Sequence, residues 1–280
     1  MKKGNFVSFL LVLCFVLFGC SNTSPGPNAE PKTDPMVEAR EALMEAIEFS
    51  DKQSGFKENW EYQITENDQT LLHQNSSTYV CFEKGNEYVF SFSASLINSE
   101  RRATLTKITP RETIQFSGTT SSSNYRDVYV DEVASYEYTR NIEQDYFYQL
   151  LEIFIDDHVK DFVSYTLTKN EEGYLISLKP VDVNQYNEGA KSFYKQLGVE
   201  ENFIPYFDFS VDVQITNGEI QNVDMNQIQN SSGQERRIHS VIRYSPIDTE
   251  IDLQAADSLM SEVKVGNVQE GSYVIIETVI

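Results

Sequence analysis

The stretch Phe203-Ile-Pro-Tyr-Phe-Asp-Phe-Ser-Val-Asp-Val-Gln-Ile-Thr216, followed by Asn217-Gly218-Glu-Ile220, decides the fold. Phe207, Phe209, Val211, Val213 and Ile215 recur at every second position. Successive side chains of a strand point to opposite faces, so all five are expected on one buried face. Asn217 and Gly218 tolerate the positive φ that a two-residue hairpin demands, and Ile220 to Ile228 then pairs back. Parallel neighbours would need a crossover helix, and no room for one exists here. The sheet is antiparallel.

Working outward, the same period recurs. Trp60, Tyr62 and Ile64 alternate with polar residues, as do Tyr88, Phe90 and Phe92, then Ile114 and Phe116, then Val128 and Val130. Turn signals separate them at Glu66-Asn67-Asp68, Lys84-Gly85-Asn86, Thr109-Pro110 and Gly118 to Asn124. Further strands are read at Phe162 to Thr168, Tyr174 to Leu178 and Arg236 to Tyr244. Asp34-Pro35 opens a first helix, with Met36, Val37, Ala39, Leu43, Ala46 and Ile47 on its apolar stripe and Glu38, Glu41, Glu45 and Glu48 on its wet side. A second helix is expected from Glu143 to Asp156. A third, from Val183 to Leu197, is closed by Gly198.

Helix, strand meander, two interrupting helices and closing hairpins together resemble the LolA-like family of lipoprotein carriers and its Gram-positive and mycobacterial lipoprotein relatives. The residues carrying the resemblance are Trp60-Glu-Tyr-Gln-Ile64, Asn217-Gly218-Glu-Ile220, and Ile242-Arg-Tyr-Ser245 with Glu250-Ile-Asp-Leu253. It implies an α+β fold: a single curved antiparallel sheet, an unclosed half-barrel, covered by helices on its concave face. The domain spans 36–280, and residues 255–280 have no counterpart in the resemblance, although Tyr273-Val-Ile-Ile276 could add a strand. Two consecutive smaller sheets divided near Gly118 to Asn124 are the alternative.

The N-terminus carries its own message. Lys2 and Lys3 precede an apolar run from Phe6 to Phe18, too short for the roughly 20 residues a membrane span requires. The run ends at Leu17-Phe18-Gly19-Cys20, which resembles the lipobox of bacterial lipoproteins. That resemblance implies a signal peptide over 1–19, a diacylglyceryl anchor on Cys20, and localisation on the extracytoplasmic face of the cell membrane. Residues 20–35 hold four prolines and no large apolar side chain, so they read as a flexible tether. Cys81 is then the one cysteine of the folded part. It has no internal disulfide partner, so the core alone must hold the fold.

Charge narrows the partners. The chain has 22 basic against 43 acidic residues, a formal net charge of −21. Such a surface repels phosphate backbones, which excludes nucleic acid, and it repels anionic headgroups, which leaves attachment to the lipid. No protein partner is specified by the sequence. His73, His158 and His239 fall in unrelated segments, and no zinc spacing, nucleophile elbow or phosphate loop is present. No catalytic, metal or cofactor residue is therefore assigned, and the chain is read as a non-enzyme. The aromatic content is the positive hint: 16 Tyr, 17 Phe and 1 Trp. Trp60, Tyr62, Phe90, Phe92, Phe147, Phe154, Phe207 and Phe209 are candidates to line an apolar pocket for a lipid or other hydrophobic ligand, with helices two and three as its lid. The competing reading is a non-enzymatic envelope or interaction protein with a solid core.

Overall fold

Asp34 caps the first helix as its residue type predicts. Its carboxylate accepts a hydrogen bond from the Met36 amide at 3.0 Å, and α1 runs over Pro35–Ser50 with Ala39, Leu43, Ala46 and Ile47 buried. The computed structural model describes residues 34–50, 54–121, 127–137, 149–169, 171, 173–196, 203–231 and 234–280. The leader, Cys20, the tether as far as residue 33, Phe147 and Gly198 lie outside the described residues.

Among the described residues twelve strands follow: β1 (Gly55–Glu66), β2 (Gln69–Glu83), β3 (Asn86–Ser95), β4 (Arg101–Ile108), β5 (Glu112–Thr119), β6 (Asp127–Glu137), β7 (Val163–Lys169), β8 (Gly173–Pro180), β9 (Tyr206–Thr216), β10 (Glu219–Ser231), β11 (Gln234–Ser245) and β12 (Tyr273–Ile275). Three more helices are α2 (Gln149–Ile155), α3 (Val183–Gln196) and α4 (Leu253–Lys264). The architecture is α+β. All twelve strands form one unclosed antiparallel sheet in the order β12-β6-β5-β4-β3-β2-β1-β11-β10-β9-β8-β7. Asn217 and Gly218 take φ of 55° and 84°, and β9 turns into β10 there.

The ladder crosses Gly118, which opposes Val130 through a bulge, so the sheet is not divided at that point. The C-terminal residues complete it: β12 pairs with β6 at one edge. The helix α4 before it, capped by Asp252 through the Ala255 amide at 2.9 Å, was not anticipated from the sequence.

Register shows how this sheet is packed. Residues directly opposite in a ladder share a face. Val80 opposes Phe56 and Val89, whereas its neighbour Cys81 opposes Gly55 and Tyr88. Phe56 and Val80 belong to one core, with α1, α2, α3 and the inward residues of β7 to β11. Cys81, Tyr88, Phe90 and Phe92 belong to a second core, with α4, Leu105, Phe116, Val128 and the C-terminal Val274 to Val279. The two cores therefore lie on opposite faces of one sheet. The helices do not all share one face, because the phase of apolar alternation inverts between β2 and β3. Where a face has no helix it is polar: Ser91, Thr104 and Ser117 form a row on the first face, and Asp224 and His239 lie on the second. Burial pushes the Cys81 thiol up to about 11, which keeps it protonated and unreactive at neutral pH.

Candidate functional site

The aromatic positions singled out in the sequence do not converge on one pocket. Phe90 and Phe92 are buried in the second core. Phe154 and Phe209 are buried in the first, on the other face, with ring centroids 5.5 Å apart. Tyr186 of α3 wedges beside them, 4.5 Å from Phe209. The helices expected to form a lid are thus packed by their own rings onto the sheet. Trp60 and Tyr62 stand together on the first face of β1, 5.3 Å apart edge to face, and the Trp60 indole N–H donates to the Ser240 hydroxyl. Phe207 leaves the buried row. The β9–β10 ladder passes from Asp208 opposite Ile228 to Tyr206 opposite Gln229, so Phe207 is the extra residue of a bulge and is 52% exposed. Tyr206 takes its place against Phe209, at 6.0 Å.

An apolar opening does exist between helix and sheet, in a different place. It is a cleft of about 350 Å³ between α1 and the first face of β7, β8 and β9. Its walls are Ala42 and Ala46 of α1, Leu167 of β7 and Ile215 of β9, the last almost wholly buried in the first core. Ala46 is already buried in the first core, so on α1 the half-buried Ala42 is the small side chain that borders the open space. Phe49, 47% exposed, and Tyr174, 37% exposed, supply aromatic surface. Glu38, Glu41 and Glu45 stand along the α1 side. The size falls within the range of small-molecule sites.

One end of this cleft is already occupied by a cation. The Lys169 ammonium pairs with the Glu38 carboxylate and lies 5.9 Å from the centroid of the Tyr174 ring. The carboxylate beside it holds the lysine above its ordinary pKa. Glu41 and Glu45 have no ion-pair partner among the described residues.

A second, more open depression of about 1200 Å³ lies along α3, with Phe162, Phe203 and Pro205 against Asn184, Gln185 and Lys191. Its shape is set by a close approach. Asn187 bonds the Tyr206 backbone in both directions, at 2.8 and 2.9 Å, and Gly189 abuts the carbonyl of His158. His158 is committed to Asp156 at 2.9 Å and to Gln196, and among the described residues no three metal-capable side chains group together.

No protein-family model matches this chain, and no curated protein does. It is similar to solved bacterial structures. A DUF1329 family protein from Desulfovibrio piger is 13% identical, with 79% of this chain and 96% of that one covered and a TM-score of 0.30. A LolA superfamily protein from Nitrosomonas europaea is 14% identical, with 76% and 94% covered and a TM-score of 0.26. At TM-scores this low nothing about site or ligand carries over to this chain. No helix among the described residues is long and apolar enough to cross a membrane.

Proposed function

We propose that the chain is a bacterial lipoprotein, tied to the outer face of a membrane by lipid on Cys20, that binds a hydrophobic or amphipathic ligand non-covalently in the α1 cleft. One observation carries the binding reading. Between α1 and the first sheet face, an opening is walled by the half-buried Ala42 and Leu167 and by the exposed rings of Phe49 and Tyr174, over a floor where Ala46 and Ile215 are already buried, with Glu38, Glu41 and Glu45 along the helix side. Affinity in such a site comes from apolar burial at roughly 25 cal/mol per Å². The anchor reading is supported by the short apolar leader ending at Gly19-Cys20. A stable anchor needs more than one acyl chain, which a diacylglyceryl cysteine provides.

Two measurements check this. Radioactive palmitate is expected to label the chain and to stop labelling it in the Cys20→Ala variant; persistent label would remove the anchor. The same full-length variant, lacking lipid of its own, is expected to take up a fluorescent fatty acid saturably. Ala42→Trp, which crowds the cleft from the α1 side, should weaken that uptake by about tenfold or more, the loss of one modest apolar contact surface. Uptake unaffected by Ala42→Trp would place the ligand elsewhere.

The packed rings of Phe154, Tyr186 and Phe209 beneath α2 and α3 favour the second reading, an interaction protein with a solid core. Absence of any uptake, with no lipid co-purifying by native mass spectrometry, is its signature.

A further inference from the structure

We propose that the α1 cleft selects amphiphiles with a cationic head group, an inference that rests on the cleft being the ligand site. The α1 side of the opening carries only carboxylates, and the one cation at its end, Lys169, comes from the sheet. Glu38, Glu41 and Glu45 are spaced three and four apart, so they form one stripe on the helix, spanning about 10 Å at 1.5 Å per residue. Their shared side is the one that faces the cleft.

The chain itself shows which group that margin holds. Where Glu38 meets the sheet, an ammonium lies between its carboxylate and the face of Tyr174, and that ammonium belongs to Lys169. Carboxylate on one side and ring on the other is the arrangement that attracts an alkylammonium. About one and two turns further along α1 the carboxylates of Glu41 and Glu45 repeat the first half of this arrangement. Phe49, half exposed at the far end of the cleft, supplies a second ring. No lysine or arginine among the described residues pairs with either glutamate. A ligand with its apolar body on Ala42 and Leu167 can therefore place an ammonium where the fold has left two like charges unrelieved. An anionic head group in the same position meets the unrelieved carboxylates of Glu41 and Glu45 in a chain that is already strongly acidic.

Three probes with the same tail separate head-group choice from apolar binding: decyltrimethylammonium, decyl maltoside and decyl sulfate, each below its micellar concentration. They are titrated calorimetrically against the full-length Cys20→Ala chain. The ammonium is expected to bind at least about tenfold tighter than the sulfate, with the maltoside between them, and to weaken severalfold as NaCl rises from about 20 to about 200 mM. The double variant Glu41→Gln/Glu45→Gln should lose most of that preference while keeping the maltoside affinity. Equal binding of all three tails overturns the head-group inference and leaves the cleft reading standing. No binding of any of them overturns both. An ammonium preference that survives the double variant, or that survives Ala42→Trp, also overturns it, because the cation is then held by acidic surface elsewhere.

Discussion

Replacing Glu58 with Gln is expected to raise stability increasingly with pH, the variant's advantage growing by roughly 2–3 kcal/mol between about pH 5 and about pH 8. Glu58 is 6% exposed, in the middle of β1. Its ladder partners are Tyr244 on one side and Thr78 on the other, and the Thr78 hydroxyl is engaged with Ser91 at 3.1 Å. Phe56 and Trp60 flank it on the same face. No hydrogen-bond or ion-pair partner meets its carboxylate among the described residues. Burial alone pushes the group from 4.5 to about 7.

The sign follows from proton uptake. An acid whose pKa is higher folded than unfolded binds more protons when folded, so stability falls as pH rises. The loss begins near the unfolded value of 4.5, grows up to about 7 and is flat above it. Glutamine has no such term. Urea midpoints of the native chain and the variant, compared across this window, test the claim. A difference that does not change with pH would mean that water or a counter-charge reaches the carboxyl.

Gly189→Ala is expected to destabilise by about 3 kcal/mol or more, the range of core disruptions that displace backbone. Helix propensity argues the other way, since alanine is better than glycine in a helix interior by about 0.8–1.0 kcal/mol. Geometry overrides it. A Cβ at Gly189 would lie 2.1 Å from the His158 carbonyl oxygen and 2.9 Å from its carbon, both backbone atoms. Relief requires α3 to lift, which draws Tyr186 away from Phe154 and Phe209. Loss of the near-ultraviolet aromatic signal should therefore accompany the lower unfolding midpoint. A neutral or stabilised variant would show that α3 and the turn before β7 separate without penalty.

Elements were legible where local chemistry dictates them. Asp34-Pro35 announces the start of α1, and Asn217-Gly218 announces the β9–β10 turn, because each requires a backbone state that only a few residues accept. The strand β4 and helix α4 were missed, although Ala103 and Leu105 alternate and Ala256, Met260 and Val263 have helical spacing. Period-two alternation says that a residue shares a face with its second neighbour. It does not say which of two faces a distant strand will turn toward a helix. Phe92 and Phe209 therefore looked equivalent in the sequence and sit on opposite sides of the sheet. Phe207 was misplaced because a bulge, one extra residue, reverses the count. The cleft was invisible for a different reason: its walls come from α1, β7, β8 and β9, elements that no local pattern brings together.

The change of side between β2 and β3 has a corollary for chain length. Val80 and Cys81 are adjacent in the chain yet serve separate interiors. Inserting or deleting a single residue in β2 would exchange the destinations of every side chain beyond it, turning hydroxyls into one interior and rings into water. Length changes introduced into this chain should be tolerated in turns such as Leu96 to Glu100 and not in the stretch from Thr78 to Phe82, where one error is counted on both sides of the sheet.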